Sequence, residues 1–442
     1  MLDRRLDAPF AIRGTQTITC GDFLAAAIEL AARLPDRPEA INLCAERYTF
    51  MLSFLAAVLR GQCNLLPPAR QGVAVQETLR TFPQAYVLRD GPAVVPGAQA
   101  PEFVVDADRL AAGAPLPAGV PSIAADQIAA VVFTSGSTGA AQAVAKSWRT
   151  LAAGALVNRR HRPGDAGALC GMVATVPPWH MYGLEWSLML PLVSECAVYC
   201  GDAFYPADIL RALEHVPAER VLVSTPLHLR AMVRSKLRFP GVRTVLCATA
   251  PLDPGLARDV ERLLSAQVFE IYGCSEAGSM ACRWPAREPE WRFFDEFRAE
   301  SEHGAVRVTA AHLPAPVQLA DAIEFMADGR FALHGRAEDI VKIGGRRASL
   351  GELNNRLLAL DGVDDAIVFH PASLGLADTG RLAALVVSKS RSARHIRREL
   401  AAVVDRVFLP RPIRLVDALP RSATGKLRRR ELLELIGADR ST

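Results

Sequence analysis

Between residues 207 and 273 the apolar pattern switches repeatedly between two periods. "ADILRALEHV" has helical spacing and "RVLVSTP" is a short apolar run. "LHLRAMVRSKL" is helical and "VRTVLCATAP" is a strand. "GLARDVERLLSAQ" is helical and "VFEIYG" is again a strand. Strands alternating with helices imply βαβ units and a mainly parallel sheet. The strand runs are nearly continuous in apolar residues, as expected when both faces of a sheet are covered. The same alternation starts earlier. "GDFLAAAIELAARLP" reads as a helix with Asp22 near its start and Pro35 closing it, "AINLC" as a strand, and "FMLSFLAAVLRG" as a helix stopped by Gly61. The fold class expected is α/β.

A chain of 442 residues is too long for one core. The character changes at residue 336, where "GRAEDIVKIGGRR" is polar and Gly-rich and reads as a linker. Beyond it the strands "DAIVFH" and "LAALVVS", the helix "SARHIRRELAAVVDRV" and a basic tail have the size of a small α+β domain. The expected division is 1–336, a large N-terminal region of βαβ layers, and 337–442, a small C-terminal domain. Residues 91–121, rich in Pro, Ala and Gly, read as loop or edge structure.

Half of the residues are apolar and 22% are charged, ordinary for a soluble globular protein. The net charge of +4 is small for the length and argues against a nucleic-acid partner recognised through a basic surface. Nine cysteines are scattered with no C-x-x-C pair, and no His cluster has metal spacing. Neither structural zinc nor a disulfide framework is expected, and a reducing compartment suits the pattern. The N-terminus has no signal-peptide core and no apolar stretch is long enough to span a bilayer, so a cytoplasmic chain with no membrane span is expected.

"VVFTSGSTGAAQAVAKSW", residues 131–148, places small and hydroxylated residues directly after an apolar run. Successive backbone N–H groups in such a loop form an anion-binding concavity, and hydroxyls add donors. A polyphosphate is the natural ligand, although a plain turn uses the same residues. No stretch fits the Walker loop, no G-x-G-x-x-G follows a strand, and a serine-hydrolase elbow at "GCSEA" fails at Ala277.

"FTSGSTG" resembles the phosphate loop of the adenylate-forming superfamily of acyl- and aryl-CoA synthetases, peptide-synthetase adenylation domains and luciferases. The resemblance recurs in order along the chain. "VPPWHMYGLE" (176–185) is similar to the acyl-pocket segment, "CATAPL" (247–252) to the adenine turn, and "YGCSEAG" (272–278) to the Tyr-Gly-x-Thr-Glu segment with Ser275 in place of Thr. "LADAIEFMADGRFALHGRAEDIVKIGGRR" (319–347) is similar to the ribose and hinge region, and "LPRSATGKLRRREL" (419–432) to the C-terminal lysine loop. "PPWHMYGLE", with Lys146, Trp148 and the short chain, more narrowly resembles the ligases of aryl-polyene and xanthomonadin-type pigment pathways, which handle aryl or related acids for a carrier protein.

The resemblance implies activation of a carboxylic acid by ATP to an acyl-adenylate, followed by transfer to a thiol, either coenzyme A or the phosphopantetheine of an acyl carrier protein. The acid would be aromatic or short and unsaturated. Thr134, Ser135, Gly136, Ser137, Thr138 and Gly139 would cradle the phosphates. Glu276 would hold Mg²⁺, and Ser275 would stand near the α-phosphate. Tyr272 and Gly273, with Ala250 and Pro251, would meet adenine. Asp321 and Arg336 would hold the ribose. Lys426, on a mobile C-terminal domain hinged at Glu338, would bring a cation to the reacting oxygens. His180 would contact the carboxylate or gate the acyl pocket, which Trp179, Met181, Tyr182, Glu185 and Leu227 would line. Taken singly, Tyr272 is more often a core aromatic, Glu276 a loop carboxylate and Lys426 a surface lysine.

The chain departs from the family pattern after the loop. The usual Gly-x-Pro-Lys-Gly is "GAAQA", so Gln142 stands where a lysine belongs, and Lys146 follows four residues later. Glu338 replaces the usual hinge Asp. The lost loop cation keeps a second reading open, a catalytically weak relative that binds adenylate or a carrier protein as an interaction module. Retention of Glu276, Asp321, Arg336 and Lys426 together favours the enzyme.

Overall fold

Helix Cys20–Arg33 begins at a reciprocal cap. Thr19 Oγ1 accepts from the Asp22 amide at 3.1 Å, and the Thr19 amide donates to Asp22 Oδ2 at 3.3 Å. Two otherwise orphaned donors are satisfied, which fixes where the helix starts. The computed structural model to which this helix belongs describes residues 4–67, 69–70, 72–91, 100–110, 120–134, 142–165, 167–302, 305–336, 339–343, 346–371, 381–421, 431–432 and 435.

The alternation in the sequence becomes a nine-stranded sheet. Its strand order is 292–293, 278–283, 267–274, 244–247, 220–224, 170–174, 196–199, 9–13, 16–19. Pairing is parallel from Gln267–Cys274 through to Pro9–Arg13 and antiparallel at both margins. A second, six-stranded sheet runs 102–104, 86–89, 39–42, 63–66, 128–134, 142–147, and is parallel except for the last hairpin. Helix Arg47–Leu59 is buried from Tyr48 to Val58. A helix apolar on every side needs neighbours on every side. It shares one apolar cluster with residues of both sheets, Phe10, Met172 and Val198 from the larger and Ala40, Leu66 and Ala130 from the smaller.

Two expectations are corrected. The register of adjacent parallel strands sets Cys196 opposite Cys170, and the two form a disulfide. Nothing in the local cysteine spacing announces a pair 26 residues apart. The presumed linker at 335–347 contains strand: Phe331–Arg336 ends within it, and Ile340–Ile343 pairs antiparallel with Arg346–Ser349. Strand, Gly-Gly, strand is a hairpin signature, and the polar composition masked it. A smaller C-terminal domain follows, with strands Asp365–Phe369, Ala383–Val387 and Ile413–Leu415 in one sheet. Helices Leu350–Leu358 and Ala393–Val403 pack on that sheet over a core that includes Leu357, Val386 and Ile396.

Phe54 is fully buried in helix Arg47–Leu59. Phe54→Ala should lower unfolding free energy by about 3–5 kcal/mol, read as a shift of the denaturant midpoint of the N-terminal transition. An unchanged midpoint would mean this helix is not the element that holds the two sheets together.

Candidate active site

Parallel strands in register end at one edge. Ala174 is level with Val223, Ser224 with Cys247, and Cys247 with Glu270. The segments that follow, 175–185, 225–228, 248–252 and 272–278, therefore emerge side by side. Open parallel sheets bind ligands at this edge.

Strand Gln267–Cys274 turns back through Ser275, Glu276 and Ala277 into strand Gly278–Arg283. Both glycines of the motif have steric reasons. A Cβ on Gly273 would overlap the Gly278 carbonyl, and Gly278 has φ +79° and a Cβ position that collides with Glu185 Oε1. Ser275 and Glu276 are half-exposed on the turn, and the Ala277 amide donates to Cys274 Sγ at 3.4 Å.

Two buried charges lie beneath this turn. Lys146, 2% exposed, donates from Nζ to the Glu276 carbonyl at 2.7 Å. Glu185 accepts from the Ser279 amide at 3.1 Å and from Ser279 Oγ at 2.8 Å, and Trp186 Nε1 donates to the same hydroxyl at 2.9 Å. Burial lowers the Lys146 pKa, opposed chiefly by the Glu185 charge. Burial raises that of Glu185, opposed by the Ser279 hydrogen bond and then by Lys146.

The adenine-turn candidates Ala250 and Pro251 are exposed. The next residue anchors them: the Leu252 amide donates to Glu270 Oε1 at 2.7 Å, and Arg283 Nε donates to Glu270 Oε2 at 2.6 Å from the register-opposed strand. The Arg283 guanidinium also lies 4.6 Å over the Trp291 ring. Thr249, just before the turn, has φ +84°, a backbone setting that a β-branched residue rarely adopts.

Tyr272 and Asp321 come together. The Tyr272 hydroxyl donates to Asp321 Oδ2 at 2.7 Å, and its ring meets Trp291 and Phe331 edge-on at 5.8 and 6.2 Å. Asp321 pairs in antiparallel register with Arg336.

The pocket candidates divide. Trp179, His180, Met181 and Leu227 are half-buried at the edge. The Arg70 guanidinium lies 4.1 Å over the Trp179 ring while donating to the carbonyls of Cys44 and Leu43. His180 directly precedes the short helix Met181–Leu184, where a Cβ on Gly183 would overlap the Pro177 carbonyl. Tyr182 gives its hydroxyl to the Leu246 carbonyl at 2.9 Å. The Glu185 carboxylate is held by the Ser279 amide and hydroxyl. Ser135, Gly136, Ser137, Thr138, Gly139, Lys426 and Glu338 lie outside the described residues, as do the side chains of Thr134 and Arg336.

Residues 2–294 match the family model described as AMP-binding enzyme. The chain belongs to that family. It is an adenylate-forming enzyme of the acyl-CoA synthetase-like ligase type. A 4-coumarate–CoA ligase of Halorhodospira halophila is 28% identical over 303 residues, 66% of this chain and 73% of that protein. A 3-hydroxybenzoate–CoA ligase of Aromatoleum sp. (strain CIB) is 27% identical over 401 residues, 80% of this chain and 75% of that protein. The fold matches that of O-succinylbenzoate coenzyme A synthetase from Bacillus subtilis in complex with AMP, with TM-score 0.80 at 19% identity, covering 96% of this chain and 95% of the other.

In this AMP-binding enzyme several supports of the site lie outside the motifs. Arg70, Ser279 and the Glu270–Arg283 pair belong to no motif quoted above. One signal was available for Glu270: a carboxylate inside the apolar run "VFEIYG" must find a partner when buried. Gln142 pairs with Thr134 at the exposed end of its strand, whereas Lys146 is buried farther along the same strand. Lys146 gives a hydrogen bond to the Glu276 carbonyl.

Arg283→Met leaves Glu270 buried without its cation. This should cost about 3–5 kcal/mol of stability, whereas the double change Arg283→Met with Glu270→Leu should recover most of it. Thermal unfolding of the three proteins reads this directly, and a single variant as stable as the parent would remove Glu270 as the anchor of the turn.

Proposed function

We propose that this enzyme uses ATP to convert a carboxylic acid to its acyl-adenylate and passes the acyl group to the thiol of coenzyme A, with an aromatic or short unsaturated acid as substrate. The observation that carries the reading is the Tyr272–Asp321 hydrogen bond at 2.7 Å, on the strand whose end bears Glu276. One rigid element thus presents a nucleoside contact and a phosphate-side carboxylate together. Relatives named as ligases of 4-coumarate and 3-hydroxybenzoate support the choice of acid and of acceptor. So do the aromatic Trp179 with Arg70 stacked on it, and Phe50 with its ring 6.0 Å from that of Trp179. A carrier-protein phosphopantetheine, as in the pigment-pathway ligases, is the alternative thiol.

Each group then has a task. Asp321 accepts from Tyr272 through one oxygen and offers carboxylate lone pairs to the ribose hydroxyls, with Arg336 opposite. Ala250, Pro251 and Gly273 line the base, and the loop from Thr134 to Gly139 donates N–H and hydroxyl groups to the phosphates. The half-exposed Glu276, on a backbone held from below, is a hard oxygen donor of the kind Mg²⁺ takes. That ion, when bound, neutralises charge on the phosphates. Ser275 keeps a hydroxyl beside the α-phosphate, and His180 meets the acid. Catalysis is positioning and charge neutralisation, since the carboxylate itself attacks phosphorus and pyrophosphate leaves. Lys426, brought in by a C-terminal domain (337–442) that swings on the 1–336 core at Glu338, supplies the cation where carboxylate, phosphate and ribose oxygens meet. The second reading, a weak adenylate- or carrier-binding module, draws on Gln142, which gives the phosphates no charge.

Acid-dependent pyrophosphate release with hydroxybenzoates, cinnamates and fatty acids tests the function. Glu276→Gln should lower the rate at limiting Mg²⁺ by at least about 100-fold, several kcal/mol of barrier. No release from the parent with any acid would favour the binding module, and a preference for palmitate would refute the acid class.

Lys426→Ala should slow adenylate formation by about 100-fold or more while leaving thioester formation from supplied acyl-adenylate within about threefold, the behaviour of a group that acts in one half-reaction only. Single-turnover assays of both halves decide it. Equal losses in the two would reject the assignment.

A further inference from the structure

The peptide between Glu276 and Ala277 has both of its polar atoms held. Its carbonyl accepts from Lys146 Nζ at 2.7 Å, and its amide donates to Cys274 Sγ at 3.4 Å. Two residues on, the Ser279 amide and hydroxyl are held by Glu185. The cation comes from strand Gln142–Ser147 of the six-stranded sheet and the anion from the π-helical turn Glu185–Met189. Packing alone does not call for a lysine here, because an apolar side chain of similar length would fill the volume without the cost of burying an ammonium.

We propose that Lys146, with Glu185 holding Ser279 just beyond the same turn, is a positioning residue that clamps the Glu276 peptide and so sets the affinity of the Glu276 carboxylate for a divalent cation without itself touching nucleotide. This rests on the reading of Glu276 as the metal carboxylate. A carboxylate binds a metal well only if its backbone cannot swing away. Groups that fix a metal ligand from behind typically change metal affinity by about 10–100-fold when removed. Because Gly278 admits no side chain against Glu185, the clamp is tight on both sides of the turn. It also ties the turn to the strand that directly follows the phosphate-loop motif in sequence, so the two phosphate-side elements move together.

The test compares Lys146→Met, Glu185→Gln and the double variant with the parent by calorimetry, with acid omitted. Two ligands are titrated, AMP in EDTA and ATP with Mg²⁺. Lys146→Met should weaken Mg²⁺-dependent ATP binding by about 10–100-fold and leave metal-free AMP binding within about twofold. Thermal unfolding separates clamp from scaffold. Each single change strands a buried charge, so the double variant should regain thermal stability yet stay defective in Mg²⁺-dependent ATP binding. The proposal is overturned if the double variant regains both, if AMP and Mg²⁺–ATP binding fall equally, or if neither changes. A parent that binds neither ligand would instead overturn the nucleotide reading beneath it.

Discussion

Strand Gln267–Cys274 is where the parallel sheet stops being parallel, and the candidate site hangs from it. On one side it pairs in parallel with Thr244–Cys247 and on the other antiparallel with Gly278–Arg283. Its Glu270 holds the turn at 248–252 through the Leu252 amide, its Tyr272 reaches Asp321, and Ser275 and Glu276 follow its end. A β-strand spaces alternate residues about 6.6 Å apart on one face. Glu270, Tyr272 and the turn are therefore set along a rigid ruler instead of on independent loops. Positions that must agree to a fraction of an ångström are best placed on one regular element.

Buried charge recurs around this edge. Glu270 is matched by Arg283, and Lys146 and Glu185 are buried near the turn at 275–277. Arg47 gives its guanidinium to Ser187 Oγ and to the carbonyls of Ala174 and Val176, joining the start of the central apolar helix to the end of a sheet strand. Burial pushes the Arg47 pKa down to about 10, which still leaves it charged at neutral pH. Three of the backbone groups these charges hold, the Leu252 amide, the Glu276 carbonyl and the Val176 carbonyl, lie just outside regular strands. The apolar layers give the fold its stability, and the charged groups satisfy the loose ends that would otherwise leave the cleft unfixed.

How far the sequence could be read follows from how local each determinant is. The helices and strands of 206–274 were legible because period and turn chemistry are local, and Thr19 with Asp22 caps its helix over three residues. The motif segments were legible as a set because each is contiguous. The bond from Ser279 to Glu185 was not legible, because the two lie 94 residues apart on different elements. Tyr182 shows the same limit: its hydroxyl is taken by the carbonyl of Leu246, a contact set by tertiary packing and invisible to pattern. The Cys170–Cys196 pair depends on the register of two strands and not on cysteine spacing. The hairpin at 340–349 was hidden for a different reason, since its first strand, IVKI, is only four residues long and its second, RRAS, is too polar to read as a buried one.

The substitution at Gln142 takes its meaning from the geometry of one strand. Gln142, Val144 and Lys146 share a face by alternation, with Gln142 exposed at one end and Lys146 buried at the other. The two positions stand about 13 Å apart along the strand, farther than a lysine stem can bridge while its amine stays on the Glu276 carbonyl. The strand thus carries its cation at the end that supports the turn and leaves the loop end neutral. With a neutral residue there, charge on a bound polyphosphate has to be balanced by backbone N–H groups, by a metal and by cations from elsewhere in the chain. Each of those depends on placement more than a flexible lysine does, because an N–H or a metal carboxylate cannot reach toward a misplaced oxygen. A chain that gives up the flexible cation gains most from holding the turn at 275–277 rigidly, and the buried Lys146 and Glu185 side chains bond to it and to the strand that follows.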